Sequence, residues 1–394
     1  MIKLIKSTFY KEEETKKKLC NFIMNSSQLS MSNKCLEFEK DFSEYQGRKY
    51  SVLFNSGSSA NLALIQALVN LKILSKGDSV GFSALTWATN VMPLMQLGLK
   101  PIPIDVSLEN LNVNSKNLLE TLENNNIKSL FITNLLGFCG DLGKIAEICK
   151  SKNILLLEDN CESLGSELNN TKLGNFGFAS TFSFFIGHHM PTIEGGMVCT
   201  DDKVLYNALL MTRTHGWSRN LNDQERSILR EVNNIDAFYD MYTFYVQGYN
   251  LRPTEITGLL GLEQLKYLEE MKKLRFQNFK KFHEINQRNN DFILLDFEHM
   301  NFVSNFAYPI QCINKDQFLR YKKKFTEKDI EIRPIVGGSM VEQPFFKIYL
   351  YENGLNFSCP NAKMIHEMGF YIPNNPELTL EEINLICETL KNEN

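Results

Sequence analysis

The chain has 394 residues, of which 43% are hydrophobic and 22% are charged. This length exceeds what one hydrophobic core usually serves, so we expect two domains of an ordinary globular protein. The net charge of −4, without a basic block, argues against nucleic-acid binding, which needs a concentrated positive surface. Charges interrupt the N-terminal segment and no run of about 18 apolar residues occurs, so we expect no signal peptide, no membrane span and a cytoplasmic protein.

Apolar runs of strand length alternate with amphipathic helical runs through the first two-thirds of the chain. Strands are predicted at residues 50–54, 78–82, 129–136 and 154–160, and the segments NSGSSANLALIQALVNL, TWATNVMPLMQLG and GDLGKIAEICKSK are predicted to be helical. Continuous apolar strands separated by helices indicate a mainly parallel sheet that is buried on both faces. Sheets of this kind bind their ligands at the carboxyl ends of the strands.

The pattern becomes helical from Asp201 onward. The polar segment SRNLNDQERSILREVNN predicts a surface excursion, and GYNLRPTEITGLLGLEQLKYLEEMKKLRFQNFKKF predicts one long helix. FAYPIQCI and IEIRPIV follow as predicted strands. We therefore expect an N-terminal arm and a large domain over residues 1–254, with a linking helix and a small C-terminal α/β domain over residues 255–394.

Three strand ends carry candidate binding residues. In NSGSSAN, Gly57 lets the backbone approach an anion that Ser58 and the free amides of a helix start can hold; simple helix capping is the alternative. Asp159 ends an apolar strand, where it either caps a helix or pairs with a cationic ring nitrogen, and Glu162 can reach a neighbouring ring substituent. Trp87 follows another strand, where it is either core or a surface that stacks on a flat ring.

The run FSFFIGHHMPTIEGGMV holds two of the six histidines, His188 and His189, between an apolar strand and a glycine pair. Ser183, five residues before His188, can add a hydroxyl to the phosphate site. Because neighbours in an extended segment point to opposite faces, only one histidine is expected to face a ligand. His189 is the weaker candidate, with packing or a supporting hydrogen bond as its expected role.

The motifs SGSSANLALIQAL, LEDNCESLGSE, FSFFIGHHMPTIEGGMV, RTHGWSRN, GYNLRPTEI and IEIRPIVGG occur in the order found in one family. In these motifs the chain resembles the DegT/DnrJ/EryC1/StrS sugar aminotransferases, over nearly its whole length. The resemblance implies the α/β fold of fold-type-I pyridoxal 5′-phosphate (PLP) transferases, with a mainly parallel seven-stranded sheet in the large domain and a smaller C-terminal α/β domain.

The same resemblance implies a role for each matching residue. Gly57, Ser58 and Ser183 would hold the cofactor phosphate. Asp159 would pair with the ring nitrogen, Trp87 would stack on the ring, and Glu162 would lie near the ring hydroxyl. Asn250 matches a residue that reaches the phosphate from a neighbouring subunit, which implies a homodimer with shared active sites.

The chain departs from the family pattern at position 188. Members that transaminate carry a lysine six residues before the glutamate of EGG, and counting back from Glu194 gives His188. No lysine lies between Lys172 and Lys203. Since an imidazole cannot hold the cofactor through a stable covalent link, we expect non-covalent PLP, which L-glutamate converts to pyridoxamine phosphate (PMP). His188 is the expected catalytic residue, because the imidazole pKa lies near neutral pH.

This pattern is similar to the nucleotide-sugar 3-dehydratase branch of the family. The resemblance implies removal of the C3 hydroxyl from a GDP-4-keto-6-deoxy hexose or heptose, with ammonia and 2-oxoglutarate released, for a dideoxy sugar of a lipopolysaccharide or capsule. A form that acts on CDP sugars uses an iron–sulfur cluster. The nine cysteines here include no CxC or CxxC pair, so we expect no cluster and no metal. A nucleotide-sugar aminotransferase and an inactive cofactor-binding relative are the alternatives.

Four further residues are candidates for substrate binding. His215 lies in RTHGWSRN with Arg219 nearby. Arg252 and Arg333 can bind the carboxylate of glutamate or the diphosphate of the sugar nucleotide, since a guanidinium group suits both. Structural ion pairs are the alternative for both arginines.

Overall fold

The computed structural model describes residues 1–392, which form an α/β protein. Its helices are α1 Glu12–Asn25, α2 Asn33–Gln46, α3 Gly57–Asn70, α4 Met92–Gln96, α5 Ser115–Asn124, α6 Leu142–Ser151, α7 Lys203–Arg213, α8 Asp223–Asn233, α9 Glu255–Leu265, α10 Leu268–Asn286, α11 Lys315–Glu327, α12 Pro344–Glu352, α13 Pro360–Met368 and α14 Leu380–Leu390. Its strands are β1 Tyr50–Phe54, β2 Ser79–Ser83, β3 Lys100–Ile104, β4 Ser129–Thr133, β5 Leu155–Asp159, β6 Glu167–Leu168, β7 Thr171–Lys172, β8 Ala179–Ser183, β9 Gly196–Thr200, β10 Met300–Phe302, β11 Ala307–Gln311, β12 Arg333–Pro334 and β13 Gly369–Pro373. Within these residues, no helix is long and apolar enough to cross a membrane.

The central sheet has seven strands in the order β1-β9-β8-β5-β4-β2-β3. Strand β9 runs antiparallel to both neighbours, and the other pairings are parallel. Successive side chains of β1 enter different cores: Val52 and Phe54 pack with α3 and α7, whereas Leu53 packs with Phe38 of α2. Helices therefore cover both faces, which is why the strands read as continuous apolar runs. The predicted fold class, with its mainly parallel seven-stranded sheet, is confirmed.

A second sheet, in the order β11-β13-β12, is antiparallel and belongs to the C-terminal part of the chain. The predicted strands FAYPIQCI and IEIRPIV correspond to β11 and β12, while β13 was not predicted. A third small sheet joins β10 to β6 and β7. The hydrophobic core that packs around β11 and β13 also includes side chains of β2 and β4, so the two larger sheets share one core.

The long helix predicted from GYNLRP onward is wrong in two places. The segment before Glu255 is extended, because Pro253 disfavours a helical conformation at Arg252, and Thr254 then caps α9 by accepting a hydrogen bond from the Thr257 N–H. The helix is also interrupted between α9 and α10, where Tyr267 (φ −103°, ψ −2°) departs from α-helical geometry.

Candidate active site

A cavity of about 530 Å³ opens at the carboxyl edge of the central sheet, against residues of the C-terminal sheet. Loops that follow β1, β2, β5 and β8 supply one wall, and residues of β12, β13 and the approach to β11 supply the other. Eight of the predicted site residues line this cavity: Gly57, Ser58, Trp87, Asp159, Glu162, Ser183, His188 and Arg333.

The first turn of α3 forms an anion cradle. Ser56 caps the helix, its Oγ accepting a hydrogen bond from the Ser59 N–H at 3.1 Å. A Cβ at Gly57 would lie 2.6 Å from the Ser183 Cβ, so only glycine lets the helix start come this close to the end of β8. The first N–H groups of a helix have no intrahelical partner, and here the first residues of α3, Gly57 and Ser58, line the cavity together with Ser183. This arrangement fits a phosphate group.

Asp159 is a buried carboxylate that three donors hold in place. Its Oδ2 accepts hydrogen bonds from the amides of Asn61 (2.9 Å) and Asn90 (2.6 Å), and its Oδ1 accepts one from the Cys161 N–H (2.9 Å). A turn rather than a helix follows Asp159, so the helix-capping role considered for it does not apply, and the bond from the Cys161 N–H belongs to that turn. Within residues 1–392, no Lys, Arg or His nitrogen lies within 4.0 Å of this carboxylate, although only 4% of Asp159 is exposed. A buried anion facing a cavity fits the protonated nitrogen of a pyridine ring.

The sequence did not single out Asn61 or Asn90. Each lies on an element far from Asp159 along the chain, and their convergence depends on the tertiary fold. Asn61 left one signal, since it is a polar residue in an otherwise apolar stretch of α3, where it is 1% exposed. A buried asparagine amide needs a partner, and here the partner is the carboxylate.

Glu162 lies beside this carboxylate and is 6% exposed. Its Oε2 accepts a hydrogen bond from the N–H of Leu136 at 3.1 Å. Burial raises the pKa of Glu162 to about 8, and the negative charge of Asp159 adds to the rise. The carboxyl group therefore keeps its proton at neutral pH and can donate a hydrogen bond to an oxygen in the cavity.

Trp87 is 54% exposed and lines the cavity directly after β2. This exposure rules out a plain core role. An indole face presented to a cavity that also holds an anion cradle and a buried carboxylate fits stacking on a flat, charged ring.

His188 lies in the cavity in an irregular segment between β8 and β9. Its imidazole stacks on Phe306, with ring centroids 5.1 Å apart and an angle of 26°, and meets the edge of Phe185 at 5.7 Å. Burial lowers the pKa of His188 to about 4, and the nearby positive charge of Arg275 adds to this effect. At neutral pH the imidazole is therefore uncharged and able to accept a proton. Among residues 1–392, the cavity lining includes no lysine.

His189 points away from the cavity and is fully buried. Its Nε2 lies 3.0 Å from the carbonyl oxygen of Ser304. The sequence expectation assumed an extended segment in which the two histidines face opposite ways. The segment is irregular instead, and both rings contact Phe306, His188 by its face and His189 by its edge.

Arg333 lines the cavity and is also paired, with 2.7 Å between its Nη2 and the Glu331 carboxylate. The two roles considered for it are therefore compatible. Glu194, Cys161 and Tyr371 line the cavity as well and were not predicted as site residues.

The other four predicted residues lie outside the cavity lining, on one exposed region between residues 215 and 252. The Arg219 guanidinium lies 4.2 Å from the ring centroid of Trp217. Arg252 and Asn250 are exposed, and the Arg252 Nε donates a hydrogen bond to the Asn250 Oδ1 at 3.0 Å. His215 is half-buried, with its ring 5.1 Å from that of Trp217.

Sheet, anion cradle and buried carboxylate together define a PLP-dependent protein of fold type I. Residues 10–391 match the DegT/DnrJ/EryC1/StrS aminotransferase family. The chain belongs to this family.

Three similar proteins bear on the reaction. The chain is 35% identical over 375 residues to the GDP-4-keto-6-deoxy-D-mannose 3-dehydratase of Yersinia pseudotuberculosis, which covers 94% of this chain and 93% of that protein. It is similar to a crystal structure of GDP-4-keto-6-deoxymannose-3-dehydratase with a trapped PLP-glutamate geminal diamine (30% identity, TM-score 0.87, 99% and 100% of the two chains). A mutant of such a dehydratase with bound GDP-perosamine is also similar (31% identity, TM-score 0.88, with the same coverage).

Proposed function

We propose that the protein is a nucleotide-sugar 3-dehydratase that depends on PLP or PMP and on L-glutamate. It removes the C3 hydroxyl of a GDP-4-keto-6-deoxy hexose or heptose to give a 4-keto-3,6-dideoxy sugar. One observation carries the proposal: His188 shares a cavity with Asp159 and the anion cradle. The family resemblance implies that transaminating members have a lysine at this position. The named dehydratase relatives support the substrate class.

Six of the predicted cavity residues have a defined task in this proposal. Gly57, Ser58 and Ser183 bind the phosphate, and the Asp159 carboxylate holds the ring nitrogen in its protonated form. The protonated Glu162 donates a hydrogen bond to a ring oxygen. When bound, the cofactor supplies an amine that condenses with the 4-keto group and a ring that takes up electrons.

His188 moves the protons. Its uncharged imidazole accepts a proton from the carbon next to the ring and returns one to the departing C3 hydroxyl. Phe306 and Phe185 pack against the imidazole, which restricts its rotation and excludes water. The reaction is balanced in electrons. Loss of one oxygen atom from the sugar is a two-electron reduction, and oxidation of glutamate to 2-oxoglutarate and ammonia supplies those two electrons.

Two other functions fit the site less well. An aminotransferase of this family needs a lysine that reaches the cofactor, and among residues 1–392 none lines the cavity. A protein that only binds the cofactor would have no use for an unprotonated imidazole beside a preserved carboxylate and phosphate cradle.

The proposal includes a homodimer whose subunits share active sites. Residues 238–244 expose a cluster of large apolar side chains, each more than half accessible: Phe238, Tyr239, Met241, Tyr242 and Phe244. Such a surface favours burial against another protein. A hydrogen bond from the Asn55 N–H to the Leu251 carbonyl (3.1 Å) places the Asn250 segment near the phosphate cradle, at an exposed edge where a second copy can approach. Asn250 of that copy would complete the cradle.

One experiment separates the three functions. The protein is incubated with PLP, glutamate and a GDP-4-keto-6-deoxy sugar, and 2-oxoglutarate, ammonia and the mass of the sugar are followed. Ammonia with a sugar that has lost one oxygen atom supports dehydration. A stable amino sugar would establish transamination instead, and a cofactor spectrum that glutamate leaves unchanged would establish a binding role. Borohydride reduction should yield no cofactor–lysine peptide.

A further inference from the structure

The segment that carries His188 has no regular structure to orient it. Residues 184–195 form neither helix nor strand. Three main-chain hydrogen bonds lie within the segment, from the His188 N–H to the Phe185 carbonyl, from the Thr192 N–H to the Phe184 carbonyl and from the Phe184 N–H to the Gly195 carbonyl, each 2.9 Å long. None of them fixes the carbonyl side of residues 188 and 189, so the direction of the imidazole must depend on contacts from elsewhere in the chain.

Arg275 of α10 supplies one such contact. Its Nη1 donates a hydrogen bond to the His189 carbonyl at 2.9 Å, and its Nη2 donates one to the His188 carbonyl at 3.3 Å. Arg275 is 5% exposed, and within residues 1–392 no carboxylate lies within 4.0 Å of it. Burying a guanidinium group without a carboxylate is unfavourable, and two main-chain carbonyls compensate for it only in part. A residue this costly to bury is better explained by what it holds than by general stability.

His189 supplies the other contact. Its bond to the Ser304 carbonyl requires the proton on Nε2, which leaves Nδ1 as an acceptor without a partner in the described chain. Two residues beyond Ser304, the ring of Phe306 lies against both histidines: its face stacks on His188 and His189 meets it at 86°. His189 therefore ties the loop to the segment whose aromatic ring sets the plane of the His188 imidazole.

We propose that Arg275 and His189 are positioning residues for His188. Arg275 clamps the main chain of residues 188 and 189, and His189 anchors the segment 304–306 so that Phe306 holds the catalytic imidazole toward the cavity. The inference rests on the proposed function, because it assumes that His188 transfers the proton. It also assigns His189 a task that the sequence left open.

Electrostatics support the clamp. Burial lowers the pKa of Arg275 to about 10, so it stays charged at neutral pH. Burial is the main cause of the low pKa of His188, and the positive charge of Arg275 lowers this pKa further. The other charged or titratable groups that line the cavity around His188 are Asp159, Cys161, Glu162, Glu194, Arg333 and Tyr371. Of all these groups, only Arg275 is bonded to the main chain of His188.

The test compares Arg275→Met and Arg275→Lys with His189→Leu and His189→Gln in the full-length protein. Arg288→Met and His299→Gln are the matched controls. Arg288 is exposed just beyond α10, and His299 also bonds a main-chain carbonyl through Nε2 (Cys139, 3.0 Å) but lies outside the cavity. Measured quantities are kcat, KM, cofactor affinity, melting temperature and, in cofactor-free protein, the NMR titration of the His188 imidazole. A His188→Asn spectrum assigns that resonance among the six histidines.

We expect kcat to fall about 10- to 100-fold in Arg275→Met and about 10-fold in His189→Leu, because small displacements of a catalytic group have effects of this size. KM and cofactor affinity should stay within about threefold, since the residues that bind the cofactor are untouched. Arg275→Lys and His189→Gln, which each keep a donor, should recover part of the loss. The His188 titration should move to higher pH in Arg275→Met only.

An unchanged kcat in Arg275→Met would overturn the assignment. So would a loss of kcat in that variant that comes with equally lowered cofactor affinity and melting temperature and with an unaltered His188 titration. If Arg275→Met does not fold, the two His189 variants decide by the loss of kcat compared with KM, cofactor affinity and melting temperature. The NMR titration needs no turnover. A wild-type protein that fails to dehydrate its substrate therefore refutes the proposed function, whereas a His188 resonance that does not shift in Arg275→Met refutes the positioning role of Arg275.

Discussion

The predicted site residues of the cavity and those of the exposed region 215–252 come from motifs of the same family, yet they lie in different structural surroundings. Cavity residues such as Asp159 and Ser183 end strands of the central sheet, where a single chain fixes them. Asn250 and Arg252 lie on extended, exposed backbone. The difference separates residues that the sheet of one chain fixes in place from residues that the chain leaves on an accessible surface.

The two regions also differ in polarity. In the cavity, the buried carboxylate of Asp159 accepts hydrogen bonds from groups of the same chain, namely Asn61, Asn90 and a main-chain N–H. The exposed region does the reverse, because it presents apolar rings such as Phe238 (80% exposed) to solvent. A completed polar site beside an uncovered apolar surface is the pattern expected of one half of a shared active site.

The largest expected effect tests the cavity alone. His188→Asn should lower kcat by about 10²- to 10⁴-fold, the usual contribution of a general acid–base group, because asparagine cannot take up the proton. Cofactor binding, measured by absorbance titration, should persist, since Asp159 and the anion cradle are intact. Turnover near the wild-type value would show that another group is the base.

The second effect concerns the counter-charge. Asp159→Asn should lower kcat by about 10- to 100-fold, because an uncharged amide no longer keeps the ring nitrogen protonated. It also turns an N–H group toward the donors Asn61 or Asn90. Asp105→Asn is the control, since Asp105 accepts two main-chain hydrogen bonds outside the cavity, from Asn361 and Ala362. Equal losses in both variants would refute a specific role for Asp159.

The third effect tests whether the two regions meet across subunits. His188→Asn and Asn250→Ala subunits, each inactive alone, are unfolded together, refolded and assayed. Random pairing makes half of the dimers mixed, and each mixed dimer has one intact site, so about a quarter of wild-type activity should return. No recovery, with mixed dimers shown by mass spectrometry, would place Asn250 in the cavity of its own chain, and an Asn250→Ala protein that is active alone would place it outside the site.

The sequence predicted what depends on contiguous residues. Strands β1, β2, β4 and β5 of the central sheet were predicted because burial on both faces makes them continuous apolar runs, whereas the edge strand β3 was not predicted. His188 was predicted from its spacing to Glu194. Groups that converge from distant elements were not: Asn61, Asn90 and Phe306 reach the cavity only through the tertiary fold. The break at Tyr267 was missed because the apolar spacing continues across it and no proline or glycine marks it.

The smallest effect sharpens the description of the cavity through stability. The pKa of Glu162 is about 8 in the folded protein against an ordinary value of 4.5 for a glutamate, so the folded state binds more protons between these values. The free energy of unfolding should then fall as pH rises from about 4.5 to 8, by at most about 1.4 kcal/mol per pH unit for this group. Glu162→Gln cannot ionise and should lose this slope in cofactor-free protein, measured by denaturant titration at several pH values. Glu147→Gln, at an exposed position, is the control. Parallel curves for wild type and Glu162→Gln would mean that Glu162 is already ionised at neutral pH and accepts hydrogen bonds rather than donating one.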